Sequence, residues 1–298
     1  MKTRIQTFVH WLSDLVFRGF LGLMRLLPYD TRLHVGGLVA TKVIAPLTGT
    51  RRRIRKNLSI ALPDLTLDEV KRIVSGVPYN MGRTLMEFYS PHEFSERVQR
   101  LELDGVGMPA ITKAQEEGRG VMLITGHIGN YEAVNAAFIG RGYQIGGLYK
   151  KMSNPYFNKH YVAAMAAIGE PLFERGRRGM AAMVKHLRSG GMVGLILDQR
   201  MNDAPILEFM GKPARTALSA AEMALKYNAL IVPCYAIRQA DGSFDIIVET
   251  PIEPDTAENM TQQLNNSLEV QVRAHPEQWM WTHNRWKNAG NATPDDRL

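Results

Sequence analysis

The 298 residues suffice for one large domain or two small ones, and a hydrophobic content of 45% can fill a sizeable core, so disorder is expected only at the ends. The single Cys234 excludes a disulfide framework and a cysteine metal cluster, and it points to a reducing compartment. Of the net charge of +7, residues 1–60 carry +9 (eleven Lys or Arg against two Asp), and basic character confined to one end marks a local partner surface rather than a nucleic-acid groove.

Residues 5–27, IQTFVHWLSDLVFRGFLGLMRLL, have helical periodicity. Arg4, Thr7, His10, Asp14, Arg18 and Arg25 fall on a narrow polar face, while Phe8, Trp11, Leu12, Leu15, Phe17, Phe20, Leu23 and Leu27 cover much of the rest. Charges at Asp14 and Arg18 are costly at bilayer depth, which favours a helix lying in the membrane interface over a tilted span. An ordinary core helix is the competing reading. Residues 31–47 form a second apolar, helical segment, followed by the run RRRIRK from Arg51 to Lys56, of the kind that attracts anionic headgroups.

Leu65 to Tyr89 begins with Thr66 and Glu69, a capping-box spacing, and continues helically with a break expected at Pro78. Leu101 to Val106 reads as a short strand and Pro109 to Glu117 as a helix. From Val121 the pattern alternates: strand 121–125, helix 131–139, strand 143–149, helix 155–167, strand 171–173, helix 177–188 and strand 192–197. A helix over 216–227 precedes the strand 230–237, and 244–248 reads as its antiparallel neighbour across the Asp241-Gly242 turn. Thr256 to Val272 is a further helix. The expected architecture is a single mixed, mainly parallel α/β sheet flanked by helices. Residues 1–60 are expected to form amphipathic and basic membrane-associating helices, 61–289 the α/β domain, and 290–298 a flexible tail.

The chemistry is expected at the break after the strand at 121. His127 stands just beyond the carboxyl end of that strand and Glu132 in the first turn of the next helix, where open α/β sheets place their ligands. A general base with an orienting carboxylate fits the pair, and a structural hydrogen bond is the alternative. Asp198 and Gln199 follow another strand and should emerge at the same sheet edge if the two are parallel. Lys150, Lys151 and Asn154, and Arg175 beside Gly176, are candidates for contact with a charged substrate, against solvated charge. The run HPEQWMWTHNRWK from His275 to Lys287 reads as a cover for the sheet or a border to a lipid surface. The glycine-rich pieces fit neither a phosphate-binding loop nor a dinucleotide fingerprint, and no recurrent metal pattern is present, so neither a metal nor a cofactor is expected.

Taken together, GHIGNYE from Gly126 to Glu132, Asp198-Gln199, FMGKPARTA from Phe209 to Ala217, IVP from Ile231 to Pro233 and HPEQWMWTHNRWK resemble the bacterial lipid A biosynthesis acyltransferases, within the wider glycerolipid acyltransferase superfamily. The likeness runs from about Thr7 to Lys287. It implies a glycerolipid-acyltransferase-like fold and an enzyme at the cytoplasmic face of the inner membrane. Such an enzyme moves an acyl group from an acyl-carrier-protein thioester, or from acyl-CoA, to a hydroxyl on a lipid A precursor. The resemblance places the base at His127, its partner at Glu132 and further contacts at Arg175 and Asp198, with Lys150 or Lys151 where the family usually has an arginine. Another membrane lipid as acceptor, a thioesterase, and a non-enzymatic membrane scaffold are the competing functions. Chain length and oligomeric state are left open by the sequence.

Overall fold

The computed structural model describes residues 2–287; the tail expected at 290–298 lies outside the described residues. Seven helices precede the sheet: α1 (Lys2–Met24), α2 (Tyr29–Val39), α3 (Ala45–Leu47), α4 (Thr50–Ala61), α5 (Leu67–Phe88), α6 (Pro91–Val98) and α7 (Met108–Glu116). A π-helical stretch, Ala40–Ile44, joins α2 to α3.

Helix α1 is apolar on both the side that meets the protein and part of the side that does not. Asp14, Leu21 and Met24 are buried against the protein, with Phe17 half-buried between them, while Phe8, Val16 and Leu23 are 58%, 66% and 68% exposed. Asp14 is fixed from both sides, by His160 Nε2 at 2.8 Å and by Arg18 Nε at 3.2 Å. Of the polar face, Asp14 therefore docks on the fold while Arg18 and Arg25 stay exposed; of the apolar set, Phe17, Phe20 and Leu27 pack on the core and Phe8, Trp11, Leu12, Leu15 and Leu23 are left outside. Among the described residues, no helix is long and apolar enough to cross a membrane.

The capping box of α5 is present, with Glu69 N–H donating to Thr66 Oγ1 and Thr66 N–H donating to the Glu69 carboxylate. The break expected at Pro78 does not occur. Pro78 is buried inside a continuous helix, where packing against α2 on one side and residues 277–280 on the other outweighs one missing backbone donor.

The sheet has the order β3-β2-β4-β1-β7-β8, formed by β1 (Val121–Thr125), β2 (Ile145–Tyr149), β3 (Leu172–Glu174), β4 (Met192–Ile196), β7 (Leu230–Arg238) and β8 (Phe244–Val248). All pairings are parallel except β7 with β8, the antiparallel neighbour that the sequence led us to expect. Helices α8 (Tyr131–Gly140), α9 (Pro155–Ile168), α10 (Arg177–Arg188), α11 (Ser219–Tyr227) and α12 (Ala257–Ala274) complete the fold.

Alternation along β1 divides the core. Val121 and Leu123 belong to a cluster that includes α8 and extends to the buried side of α1 and α2, while Met122 and Ile124 belong to another that includes α10, α11 and α12. A third apolar cluster joins α4 and α5 to Trp279, Trp281 and Trp286.

One expected strand is absent and one hairpin was not expected, both for local reasons. Residues 101–107 contain no strand; Gly105 at φ +136° turns the chain beside β8, and Gly107 N–H makes an isolated contact with Val248 O. The hairpin of β5 (Ile206–Phe209) and β6 (Lys212–Arg215) went unread. Its turn places Met210 and Gly211 at φ +57° and +66°, a conformation usually announced by Asn-Gly.

Candidate active site

β1 lies between β4 and β7, so the loops after β1 and β4 emerge side by side at one sheet edge. These loops carry His127 and Asp198. The β1–α8 loop is pressed onto its surroundings: Asn130 N–H donates to Ala236 O, Gly129 N–H to Gln278 O, and Thr84 Oγ1 to Gly129 O. Gly129 has φ +55°, and a Cβ there would stand 1.8 Å from Ala236 O, so only glycine fits. Met280 N–H donates to His127 O, and Ile128 bridges Trp279, so residues 278–280 act as an extra edge along the loop.

His127 Nδ1 is 2.7 Å from Asp198 Oδ1, and His127 N–H donates to Asp198 Oδ2 at 2.7 Å. Asp198 is 3% exposed, and its Oδ2 also accepts the indole N–H of Trp279 at 2.8 Å. An ionised carboxylate can only accept, so the proton of a neutral His127 sits on Nδ1 and the Nε2 lone pair is left for chemistry. Gln199 Nε2 lies 3.4 Å from that Nε2. Burial works against charge on both partners, but their mutual attraction and hydrogen bonds prevail. The His127 pKa is raised above its ordinary value and that of Asp198 falls to about 2.

The expected pairing of His127 with Glu132 is not what the structure forms. Glu132 is the second residue of α8, and its carboxylate accepts from Asn135 Nδ2 at 3.0 Å; burial raises its pKa, partly opposed by that bond. The turn at Gly126–Asn130 sends His127 sideways to β4 rather than forward along α8. Glu132 nevertheless lines the same cavity as His127. This cavity of about 190 Å³ is walled mostly by apolar groups, among them Met81, Leu85, Phe88 and Met280, with Tyr131 and Tyr161 beside Glu132.

A buried ion pair supports the loop from behind. Arg238 Nη2 donates to Glu87 Oε2 at 2.6 Å, a second contact joins Arg238 Nη1 to Glu87 Oε1, and Asn130 Nδ2 donates to Glu87 Oε2 at 2.8 Å. Asn130 in turn caps α8 by accepting from Glu132 N–H. On the other side, Arg200 N–H donates to His283 Nε2 at 2.9 Å, which steadies the 198–200 turn.

The remaining sequence candidates lie elsewhere. Asn154 caps α9 with its oxygen and donates from Nδ2 to His10 O and Ser13 Oγ, so its amide is occupied in fastening α1. Lys150 is exposed, and Lys151 Nζ is 3.9 Å from Glu174 Oε1. Arg175 stands with Arg177 and Arg178 around a separate open depression before α10. Trp279 and His283 were read only as parts of an aromatic run. Their partners are 81 and 83 residues away, and the one available signal was that a buried indole N–H requires an acceptor.

The family model described as bacterial lipid A biosynthesis acyltransferase matches residues 1–288. A lipid A biosynthesis lauroyltransferase of Escherichia coli K12 is 23% identical, over 96% of this chain and 94% of its own length. A lipid A biosynthesis palmitoleoyltransferase of the same strain is also 23% identical, over 90% and 89%. A lipid A biosynthesis acyltransferase of Haemophilus influenzae is 20% identical, over 88% and 83%. A match of this kind along nearly the whole chain places the protein in the bacterial lipid A biosynthesis acyltransferase family.

Proposed function

We propose that this acyltransferase moves a fatty acyl group from an acyl-carrier-protein thioester to a hydroxyl of a lipid A precursor, with His127 as general base and Asp198 as its orienting carboxylate. The observation that carries this reading is the His127–Asp198 pair, Nδ1 to Oδ1 at 2.7 Å, at the wall of an apolar cavity. Nε2 takes the acceptor proton as the hydroxyl oxygen attacks the thioester carbonyl, and Asp198 stabilises the imidazolium that forms. Collapse of the tetrahedral intermediate expels the carrier thiolate, to which His127 returns the proton. No protein nucleophile is needed. The apolar cavity suits an acyl chain, and the Gln199 amide is placed to donate to an oxygen near Nε2. Arg175 and the lysines at 150 and 151 are assigned to the charged parts of the donor or acceptor, away from the reacting carbon.

We further assign residues 1–60 to the cytoplasmic face of the inner membrane, as part of the same folded unit. The outward apolar side chains of α1, together with Leu47 at 80% exposed, would enter the interface while the exposed Arg52, Arg53 and Arg55 of α4 meet anionic headgroups.

The test is acceptor-dependent transfer from a panel of carrier thioesters, read by product mass. His127→Ala should stay folded and lose about 10²- to 10⁴-fold in rate. Full activity in that variant sinks the base assignment. Release of free fatty acid without acceptor would identify a thioesterase instead.

A further inference from the structure

Three buried tryptophans sit together near the site, and they use their indole protons differently. Trp281 Nε1 donates to Pro276 O at 2.7 Å and Trp286 Nε1 to Phe209 O at 3.1 Å, both backbone carbonyls. Trp279 Nε1 donates at 2.8 Å to Asp198 Oδ2, the oxygen that also accepts His127 N–H. From this geometry we infer that Trp279 is a positioning residue for the acyl-transfer base, acting through Asp198. The inference rests on the reading of His127 as that base.

Two donors on Oδ2 fix the rotation of the Asp198 carboxylate, so that Oδ1 is aimed at His127 Nδ1. The indole is itself immobile. It is 2% exposed and packed edge-on against Trp281 at 4.7 Å between ring centroids, with Phe209 at 5.5 Å. Its backbone is tied to the loop it serves, through the bridge to Ile128 and the flanking bonds in which Gln278 O accepts from Gly129 N–H and Met280 N–H donates to His127 O. Movement of the 278–280 segment therefore moves the carboxylate and the base together.

The indole donor also withdraws charge from Oδ2. Without it Asp198 pulls harder on the Nδ1 proton, His127 becomes more basic, and a larger share is already protonated at neutral pH. Other titratable groups also surround the pair. Tyr131 stands edge-on to His127 at 5.6 Å, Glu132 is in the cavity wall, His283 is behind the 198–200 turn, and the buried Arg285 donates to Arg215 O and Thr216 Oγ1. None of these donates to Asp198, so their influence is unchanged when the indole is replaced.

The experiment compares full-length Trp279→Phe with Trp281→Phe, a loss of the same buried group one register away. The probes are a lauroyl thioester of acyl carrier protein and a hydroxyacyl glucosamine disaccharide acceptor. Trp279→Phe should lower kcat about tenfold or more with KM little changed. Its kcat/KM inflection should move up by about half a pH unit, while that of Trp281→Phe stays in place. Equal inflections in both variants and the wild type would reduce Trp279 to space filling.

Should Trp279→Phe not fold, the wild-type protein supplies the answer through its indole N–H resonances. One of the four should titrate with the His127 midpoint, and the absence of any such resonance overturns the inference. An active His127→Ala variant would instead remove the reading beneath it, which keeps the two failures apart.

Discussion

Asp198→Asn, compared with Glu132→Gln, tests which carboxylate serves His127. Asparagine preserves the shape of Asp198 but removes its charge, and its amide group can present a donor to Nδ1. That would move the imidazole proton to Nε2, where a base needs its lone pair. The fall in the Asp198 pKa from an ordinary 3.8 to about 2 corresponds to about 2 kcal/mol, shared among His127 and the other donors. This part of the stability is present above pH 3.8 and is lost as pH falls toward 2. The His127 part has the opposite sign, being complete below 6.5 and lost as pH rises through its raised value.

With His127 as the proposed base only its neutral form is active, so wild-type kcat/KM should rise with pH and inflect above 6.5. In Asp198→Asn the attraction is gone and burial alone acts, so the inflection drops below 6.5 while the plateau falls toward the upper end of about 10²- to 10⁴-fold. Glu132→Gln removes a carboxylate bonded to Asn135, and it alters the rate without moving the inflection. Transfer measured by product mass across about pH 5 to 9 separates the cases. An inflection that moves in Glu132→Gln and stays fixed in Asp198→Asn refutes the assignment.

Gly129→Ala forces a side chain into Ala236 O at a positive φ, and should lower the melting temperature by about 5 °C or more, measured by circular dichroism. Glu87→Gln leaves Arg238 as an uncompensated buried charge and loosens the Asn130 cap; chemical denaturation should show a loss of about 3 kcal/mol. Trp11→Glu combined with Val16→Glu changes two outward positions on α1 and should reduce flotation with anionic liposomes without changing the melt, since neither side chain is in the core. Retained flotation would place the membrane contact elsewhere. Deleting α1 is a poorer test, because Asp14, Leu21 and Met24 belong to the fold.

Hydrophobic period and turn residues made most of the fold legible, from the capping box at Thr66 to the parallel strands that deliver His127 and Asp198 to one edge. Apart from the turn at Gly105 and the Met210-Gly211 hairpin, what escaped depended on contacts distant in sequence. Pro78 signals a break only if its helix stands alone, and here neighbours hold it. Glu132 was the near carboxylate in the chain, whereas Asp198 is the near one in space, since adjacent strands bring together residues 71 positions apart. The polar stripe on α1 was visible, but not the direction it faced; His160 decides that by bonding Asp14 from α9. Local periodicity contains no term for such partners.

The edge that residues 278–280 form along the His127 loop has a consequence for synthesis. His127 is translated long before residues 278–280, yet its loop depends on their backbone and its carboxylate on the Trp279 indole. A ribosome-bound chain can pair β1 with β4 and still lack this clasp. The arrangement of His127 and Asp198 is therefore complete only after residues 278–280 have left the ribosome and folded back onto the loop, more than 150 residues after His127 itself.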